Sequence, residues 1–430
     1  MADPGDPTPI PALTATQRWL VLLAAVLGWA FAGLGISLYI LIHRQLVLGL
    51  LGASADEAVV TRWFAWFQAA FLFGAAAGGW LFGWAGDRVG RVRSLGAAIL
   101  TYSGFTLAGY FADTLEQQLA LRFLASLGIG GTWPGAVALV SEAWPEASRP
   151  LLAGLLGAAA NFGFVFLGLL AYSYPVTAEA WRWPLLVGAS PILLGLGVLL
   201  VVPESPRWRA AVGSRKGDAA PLREVFGRPL LGRTLLGIGL GAIPVVGTAA
   251  NANWLTPWTD QAVQEARPGE EKKGDARSKA LTQITRSGGA IVGSFFGGLI
   301  ASVVGRRLTY FLISLGSFAL SRILFGLLYP LHPWFHVLTF LLGLVGVTYF
   351  GWLPLFLPEL FPTRVRATGA GVSFNTGRVV AGVVVLSAGA LLGLLGGSYA
   401  LIGLWSGLIY VVGMGLIWLA PSRPMDRPGE

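Results

Sequence analysis

Apolar and polar positions along this chain change on a long wavelength, in runs of about 20 residues with almost no charge separated by short polar connections. Six runs lie near Trp19–Ile42, Trp63–Trp84, Leu95–Phe111, Leu119–Val140, Leu151–Tyr172 and Trp183–Val202. Six more lie near Leu230–Asn251, Ala280–Ser302, Leu308–Tyr329, Phe335–Leu357, Thr368–Leu395 and Tyr399–Ala420. A helix rises about 1.5 Å per residue, so runs of this length suit the roughly 30 Å hydrocarbon core of a bilayer. The pattern predicts an all-α membrane protein of about twelve transmembrane helices in two pseudo-symmetric six-helix bundles. Residues 1–18 then form an N-terminal tail, 19–208 the first bundle, 209–229 a linker, 230–420 the second bundle and 421–430 a C-terminal tail. One further connection, Asp260–Lys279, holds five acids and five bases and reads as a solvated external connector.

Composition supports lipid as the solvent. Charged residues make up 12% of the chain and hydrophobic ones 55%, with mean hydropathy +0.67, whereas a soluble domain carries about a quarter charged residues. Sixty glycines suit close helix packing, and 17 tryptophans suit the membrane–water boundary. With no cysteine, disulfides and thiolate metal sites are excluded. The histidines, His43, His332 and His336, are too dispersed to suggest a metal centre, and no cofactor is implied.

Net charge is +9, but the bases sit between apolar runs rather than in one patch, which argues against a nucleic-acid partner. They favour one side of the membrane. Seven fall in and around the linker (Arg207, Arg209, Arg215, Lys216, Arg223, Arg228 and Arg233). Arg18, Arg88, Arg91, Arg93, Arg149, Arg306, Arg307, Arg364, Arg366, Arg423 and Arg427 fall on the same side. By the positive-inside bias both termini are cytoplasmic, in a plasma or bacterial inner membrane. The Pro-rich N-terminal tail lacks the basic start of a secretory signal, so the first run is expected to remain as a span.

The two sets of runs repeat each other. Gly83, Gly90 and Arg91 recur as Gly298, Gly305 and Arg306, all 215 positions later, as does Gln68 as Gln283. Glu142, Pro145 and Arg149 recur 217 positions later as Glu359, Pro362 and Arg366. Parallel repeats of this kind are expected to meet around a site near the membrane midplane.

These residues resemble the major facilitator superfamily. The resemblance rests on Gly83, Asp87, Arg88, Gly90 and Arg91 between the second and third runs, on PESPRW at Pro203–Trp208, and on PELFPTRVRATGAGVSFNTGR at Pro358–Arg378. The first two look like the sugar-porter branch, and the last looks like the metabolite–proton symporters that carry organic acids. The resemblance implies a secondary transporter working by alternating access, with a single chain as the working unit. It also implies a charged gate built from Asp87, Arg88, Arg91, Glu142 and Arg149, with Arg306, Glu359 and Arg366 as the second copy. In this family the arginine matching Arg122 pairs with an acid in the first helix during proton coupling. Here no Asp or Glu occurs from Arg18 to Arg44, which leaves Arg122 available to a substrate carboxylate.

Polar residues inside the runs supply the candidate site, because ionisable groups in a span face a cavity or a partner. Arg378 and Asn161 lie twelve residues beyond Arg366 and Arg149, or about 18 Å into the membrane. Gln68, Gln283, Arg286, Asn251, Tyr349 and Trp352 complete the expected set. Arg322, by contrast, reads as a snorkelling or packing residue. The expected cargo is a small organic anion such as a monocarboxylate, sugar acid or aromatic acid, and the alternative is a neutral sugar or polyol. A membrane sensor and a membrane enzyme are weaker readings, since neither a signalling domain nor a cluster of catalytic residues is visible. No phosphate-binding motif for ATP is present.

Overall fold

The computed structural model describes residues 13–52, 55–144, 149–214, 221–266, 275–362, 365–394 and 398–421. The expected tails lie largely outside these, as does the middle of the 260–279 connection. Among the described residues all regular structure is helical. The first half comprises α1 (Ala15–Leu51), α2 (Glu57–Arg88), α3 (Arg91–Tyr110), α4 (Leu115–Ala143), α5 (Arg149–Ser173) and a sixth span split into α6 (Trp183–Ala189) and α7 (Ile192–Val201). Two short helices, α8 (Pro206–Ser214) and α9 (Pro221–Val225), occupy the two ends of the polar stretch between halves. The second half comprises α10 (Arg228–Val246), α11 (Leu255–Ala266), α12 (Ala276–Val304), α13 (Arg306–Leu327), α14 (Phe335–Glu359), α15 (Arg366–Leu394), and α16 (Tyr399–Ser406) followed by α17 (Ile409–Leu416).

Eleven of these segments are long and apolar enough to cross a membrane. The twelfth is α3, whose hydropathy is lowered by Arg91, Arg93 and several hydroxyls. Those hydroxyls are satisfied within the helix: Thr101, Ser103 and Thr106 donate to the carbonyls of Ala97, Ile99 and Tyr102 at 2.6–2.8 Å. The expected span at Trp183–Val202 breaks at Ser190–Pro191. The seventh span breaks more deeply. Pro244 cannot donate a backbone N–H, and beyond it the chain passes through a π turn (Gly247–Asn251) and a 3-10 turn (Ala252–Trp254) before α11.

Helices α5 and α12 pack together across the two halves, as do α2 and α15. Large apolar side chains cover the outer faces, among them Leu200, Val303 and Leu327, each more than 75% exposed. In water such a surface would drive association, whereas in a bilayer it meets solvent of its own kind. Trp19, Trp84, Trp334 and Trp418 are exposed near helix ends, where indole rings anchor at the headgroups.

The repeat is visible in the turns. Gly90 and Gly305 take φ of +128° and +94° at equivalent sharp bends, a region that side chains beyond glycine seldom occupy. The first bend is held by PESPRW. Glu204 accepts the Val92 amide at 3.1 Å, at the positive end of α3, while Trp208 Nε1 donates to the Asp87 carbonyl at 3.0 Å.

The reading of Asp260–Lys279 as a solvated connector is corrected at both ends. Asp260 belongs to α11 and Lys279 to α12, and both side chains are buried. Asp260 Oδ2 lies 2.5 Å from Arg44 Nε and 3.6 Å from Lys279 Nζ. Lys279 Nζ also donates to Gln45 Oε1 at 2.7 Å, and Arg44 pairs with Glu57. These contacts tie the two halves at the end of the molecule farther from the chain termini, called here the distal end.

Close helix approach depends on small residues. A Cβ at Gly78 on α2 would fall on the backbone of Leu127 in α4. The Gly78→Val variant is expected to lose about 2 kcal/mol of stability through overpacking, seen as a lower thermal midpoint in detergent. An unchanged midpoint would show that α2 and α4 can separate freely.

Candidate functional site

At the terminal end, residues expected to form a charged gate make two pseudo-symmetric clusters of ion pairs. Arg91 pairs with Asp87 at 2.7 Å and with Glu142 at 3.2 Å, and Arg306 pairs with Glu359 at 3.0 Å. Each of these pairs stays within its own half. Arg88 lies outside this cluster, with its guanidinium over the Trp84 ring at 4.7 Å. The side chains of Arg149 and Arg366 lie outside the described residues.

A cavity of about 880 Å³, counting its mouth, lies between the halves. Its aromatic lining is Trp29, Phe71, Trp133, Phe164, Phe350 and Phe374, and its polar lining is Asn161, Thr248, Asn253, Arg286 and Arg378. Ile36, Leu72, Gly157, Ala160, Val245, Ala249 and Val347 fill the remainder. The lining contains two guanidiniums and no carboxylate. Arg378 lies over Phe374 at 4.7 Å and Arg286 over Phe164 at 5.6 Å, so the rings support the flat faces and leave the N–H edges to define direction. Arg378 donates to the Ala75 carbonyl and to Asn375 Oδ1, each at 3.2 Å. Arg286 Nε and Asn253 Oδ1 are buried without a hydrogen-bond partner, which leaves polar capacity at the cavity. The broken seventh span supplies Val245, Thr248, Ala249 and Asn253, because unwinding turns polar positions inward that a regular helix would spread around its circumference.

The structure brings three of the nine expected binding residues, Arg378, Arg286 and Asn161, to the cavity wall. The other six are elsewhere. Arg122 is buried on α4 behind Phe71, 5.1 Å from its ring and 4.6 Å from that of Tyr39. It donates to the carbonyls of Gly35 at 2.7 Å and Ile36 at 3.2 Å, so backbone oxygens of α1 take the place of the missing acid. Gln283 approaches the cavity only through the Phe164 carbonyl, to which it donates at 2.9 Å. Gln68 is buried with both amide atoms unpartnered. Asn251 ties the π turn to α13 and α16 through Ser321 and the Gly403 carbonyl. Tyr349 and Trp352 belong to the second-half core, where Tyr349 meets Ser314 at 2.6 Å and Trp352 Nε1 donates to the Arg306 carbonyl at 2.9 Å. Arg322 is exposed, as expected of a snorkelling residue.

The sequence reading passed over most of the cavity wall. Its signal was present in the repeat offset: Trp133 and Phe350, Asn161 and Arg378, and Ile36 and Asn253 are all pairs 217 positions apart, and Phe71 and Arg286 are 215 apart.

Comparison with known proteins identifies the family. The model for "Sugar (and other) transporter" matches residues 20–230. The inner membrane metabolite transport protein YhjE of Escherichia coli is 32% identical over 329 residues, covering 70% of this chain and 71% of its own. The chain belongs to the major facilitator superfamily, and it is a transporter. Other superfamily relatives are a probable 4-methylmuconolactone transporter of Cupriavidus pinatubonensis (29% identity, covering 74% of this chain and 72% of its own) and the cis,cis-muconate transport protein of Acinetobacter baylyi (27%, 77% and 78%). The superfamily fold is matched by the xylose transporter XylE of E. coli in a partially occluded inward-open conformation. Its TM-score is 0.72 at 18% identity, covering 96% of this chain and all of that one.

For this superfamily member, Arg122 bonded to backbone predicts a separable phenotype. Arg122→Met removes two charge-assisted hydrogen bonds to carbonyls of α1 that keep their intrahelical partners, at about 1.5–3 kcal/mol each. The variant is expected to lose thermal stability while ligand affinity stays within a few-fold of the parent. Loss of binding at unchanged stability would move Arg122 into the ligand site.

Proposed function

We propose that this transporter carries a small organic anion, held by its carboxylate on Arg286 and Arg378 with its apolar body against the aromatic wall. The observation that carries this reading is the cavity lining, in which two buried cations face no buried acid. A guanidinium in that setting attracts an anion strongly, because its N–H groups form charge-assisted bonds in a site poor in water. Six aromatic rings suit a planar or unsaturated body, and Asn161, Thr248 and Asn253 can recognise further oxygens. Relatives named for 4-methylmuconolactone, cis,cis-muconate and 4-hydroxybenzoate transport point to the same cargo class.

The cavity between the halves serves alternating access: the distal end opens and closes against the terminal end while the site stays near the middle. The basic bias of the terminal connections supports cytoplasmic termini, and relatives named as inner membrane proteins support a bacterial inner membrane. The working unit in this reading is a single chain.

A thermal-shift screen of purified protein against aromatic and unsaturated carboxylates, sugar acids, hexoses and polyols tests the cargo, since a ligand for the folded state raises its apparent stability. Carboxylates are expected to stabilise, and stabilisation by neutral sugars alone would overturn the assignment. Arg286→Gln should weaken carboxylate binding by about thirtyfold, equivalent to about 2 kcal/mol for one charged hydrogen-bonding group. Direct binding measurements check this, and an unaltered Kd would remove Arg286 from the site.

A further inference from the structure

We propose that Asp260 is a proton-binding site controlling the distal opening, so that the seventh span supplies the titrating carboxylate absent from the first. The inference rests on the transport reading above and adds a residue to it. Asp260 is the one Asp or Glu among the described residues whose side chain is buried. It sits on the seam between halves, 2.5 Å from Arg44 on α1 and 3.6 Å from Lys279 on α12.

Every element around Asp260 contributes to its setting. From α1 come Arg44 and His43, the latter with Nδ1 3.0 Å from the Ile40 carbonyl oxygen. From α2 comes Glu57, which pairs with Arg44. From α12 come Lys279 and, at its start, the Asp275 amide, which donates to Asp260 Oδ1 at 3.1 Å. From α16 comes Tyr399, whose hydroxyl is 2.7 Å from that of Thr61 and 3.4 Å from Glu57. With His43 neutral, Asp260 is the buried counter-charge shared by Arg44 and Lys279, while the carboxylates of Glu57, beside Arg44, and Asp275, acting on Lys279, lie further out. A proton taken from the distal aqueous phase by Asp260 removes that buried negative charge and leaves the two buried cations facing each other. The cross-half attraction to Arg44 is then weakened, and the remaining like charges favour separation in a medium that screens them poorly.

The same helix leads to the cargo. Lys279, Gln283 and Arg286 follow at spacings of four and three on one face of α12, so the gate and the cavity are about 10 Å apart on one rigid element. An anion on Arg286 and a proton on Asp260 would therefore act on the same segment, and this gives symport a physical route.

The absence of cysteine permits a test that uses no substrate. Ile40 is fully buried within a cluster that includes Phe64, Trp254 and Leu255 from both halves. Ile40→Cys protein, in oriented vesicles, is labelled from the distal face with a membrane-impermeant maleimide across a pH series, with rates corrected for thiolate fraction. The corrected rate is expected to rise as pH falls, by at most roughly tenfold per pH unit, the limit for one linked proton. Adding Asp260→Asn should make labelling fast and independent of pH, Asp260→Glu should keep the response with a shifted midpoint, and His43→Gln should leave it in place. A flat response in the Ile40→Cys protein overturns the proposal, as does a response that survives in Asp260→Asn or vanishes in His43→Gln. Because no cargo is present, an error in the substrate class would leave these outcomes unchanged.

Discussion

Hydrocarbon cannot solvate a guanidinium, so each arginine inside the bundle must find its compensating charge or dipoles within the protein, and these solutions shape the molecule. Arg44, Arg122, Arg286 and Arg378 are all buried, but they are satisfied in different ways. Arg44 is paired with carboxylates, Arg122 with backbone carbonyls, and Arg378 in part with a carbonyl across the seam. Among the described residues Arg286 has an aromatic face and an unpartnered Nε but no ion pair, so it stands least compensated and at the cavity. The gradient from full to partial compensation separates residues whose polar groups are spent on the structure from residues that keep polar capacity at the cavity.

Much of the architecture was legible because it depends on periodicity and repetition. The apolar runs located the spans, and the 215–217 offset anticipated that Arg91–Glu142 would have a twin in Arg306–Glu359. Pairs of this kind can be read in sequence because both copies preserve chemistry and spacing. The two breaks were harder to see. Ser190–Pro191 and the turns at Gly247–Trp254 lie inside apolar stretches whose hydropathy is indifferent to a local unwinding.

The site was only partly legible, for physical reasons that differ among residues. Tyr349 and Trp352 share one helical face, but spacing cannot tell which face points to the cavity and which to the core. Arg122 was expected to face a cavity or a partner and to be available to a substrate carboxylate, but its partners are carbonyls, which every residue carries and no sequence pattern marks. Asp260 and Lys279 were assigned to water because they bracket a hydrophilic stretch, and the partners they find, Arg44 for Asp260 and Gln45 for Lys279, lie more than 200 positions away. Charge counting along a chain finds solvated segments well, but it does not find a charge whose counter-ion comes from the other half.

The cavity inherits a twofold frame from the repeat, but the two halves no longer carry equivalent chemistry. Trp133 and Phe350 keep aromatic rings at equivalent positions, while Asn161 has Arg378 as its counterpart and Phe71 has Arg286. A cradle with matching halves would accept a small molecule in two orientations related by the axis, equal in energy and opposite in direction. Gathering both cations in the second half removes that degeneracy. In the proposed reading, a molecule with one charged end is then held in a single polarity throughout the cycle, and it leaves the protein in the same attitude in which it arrived.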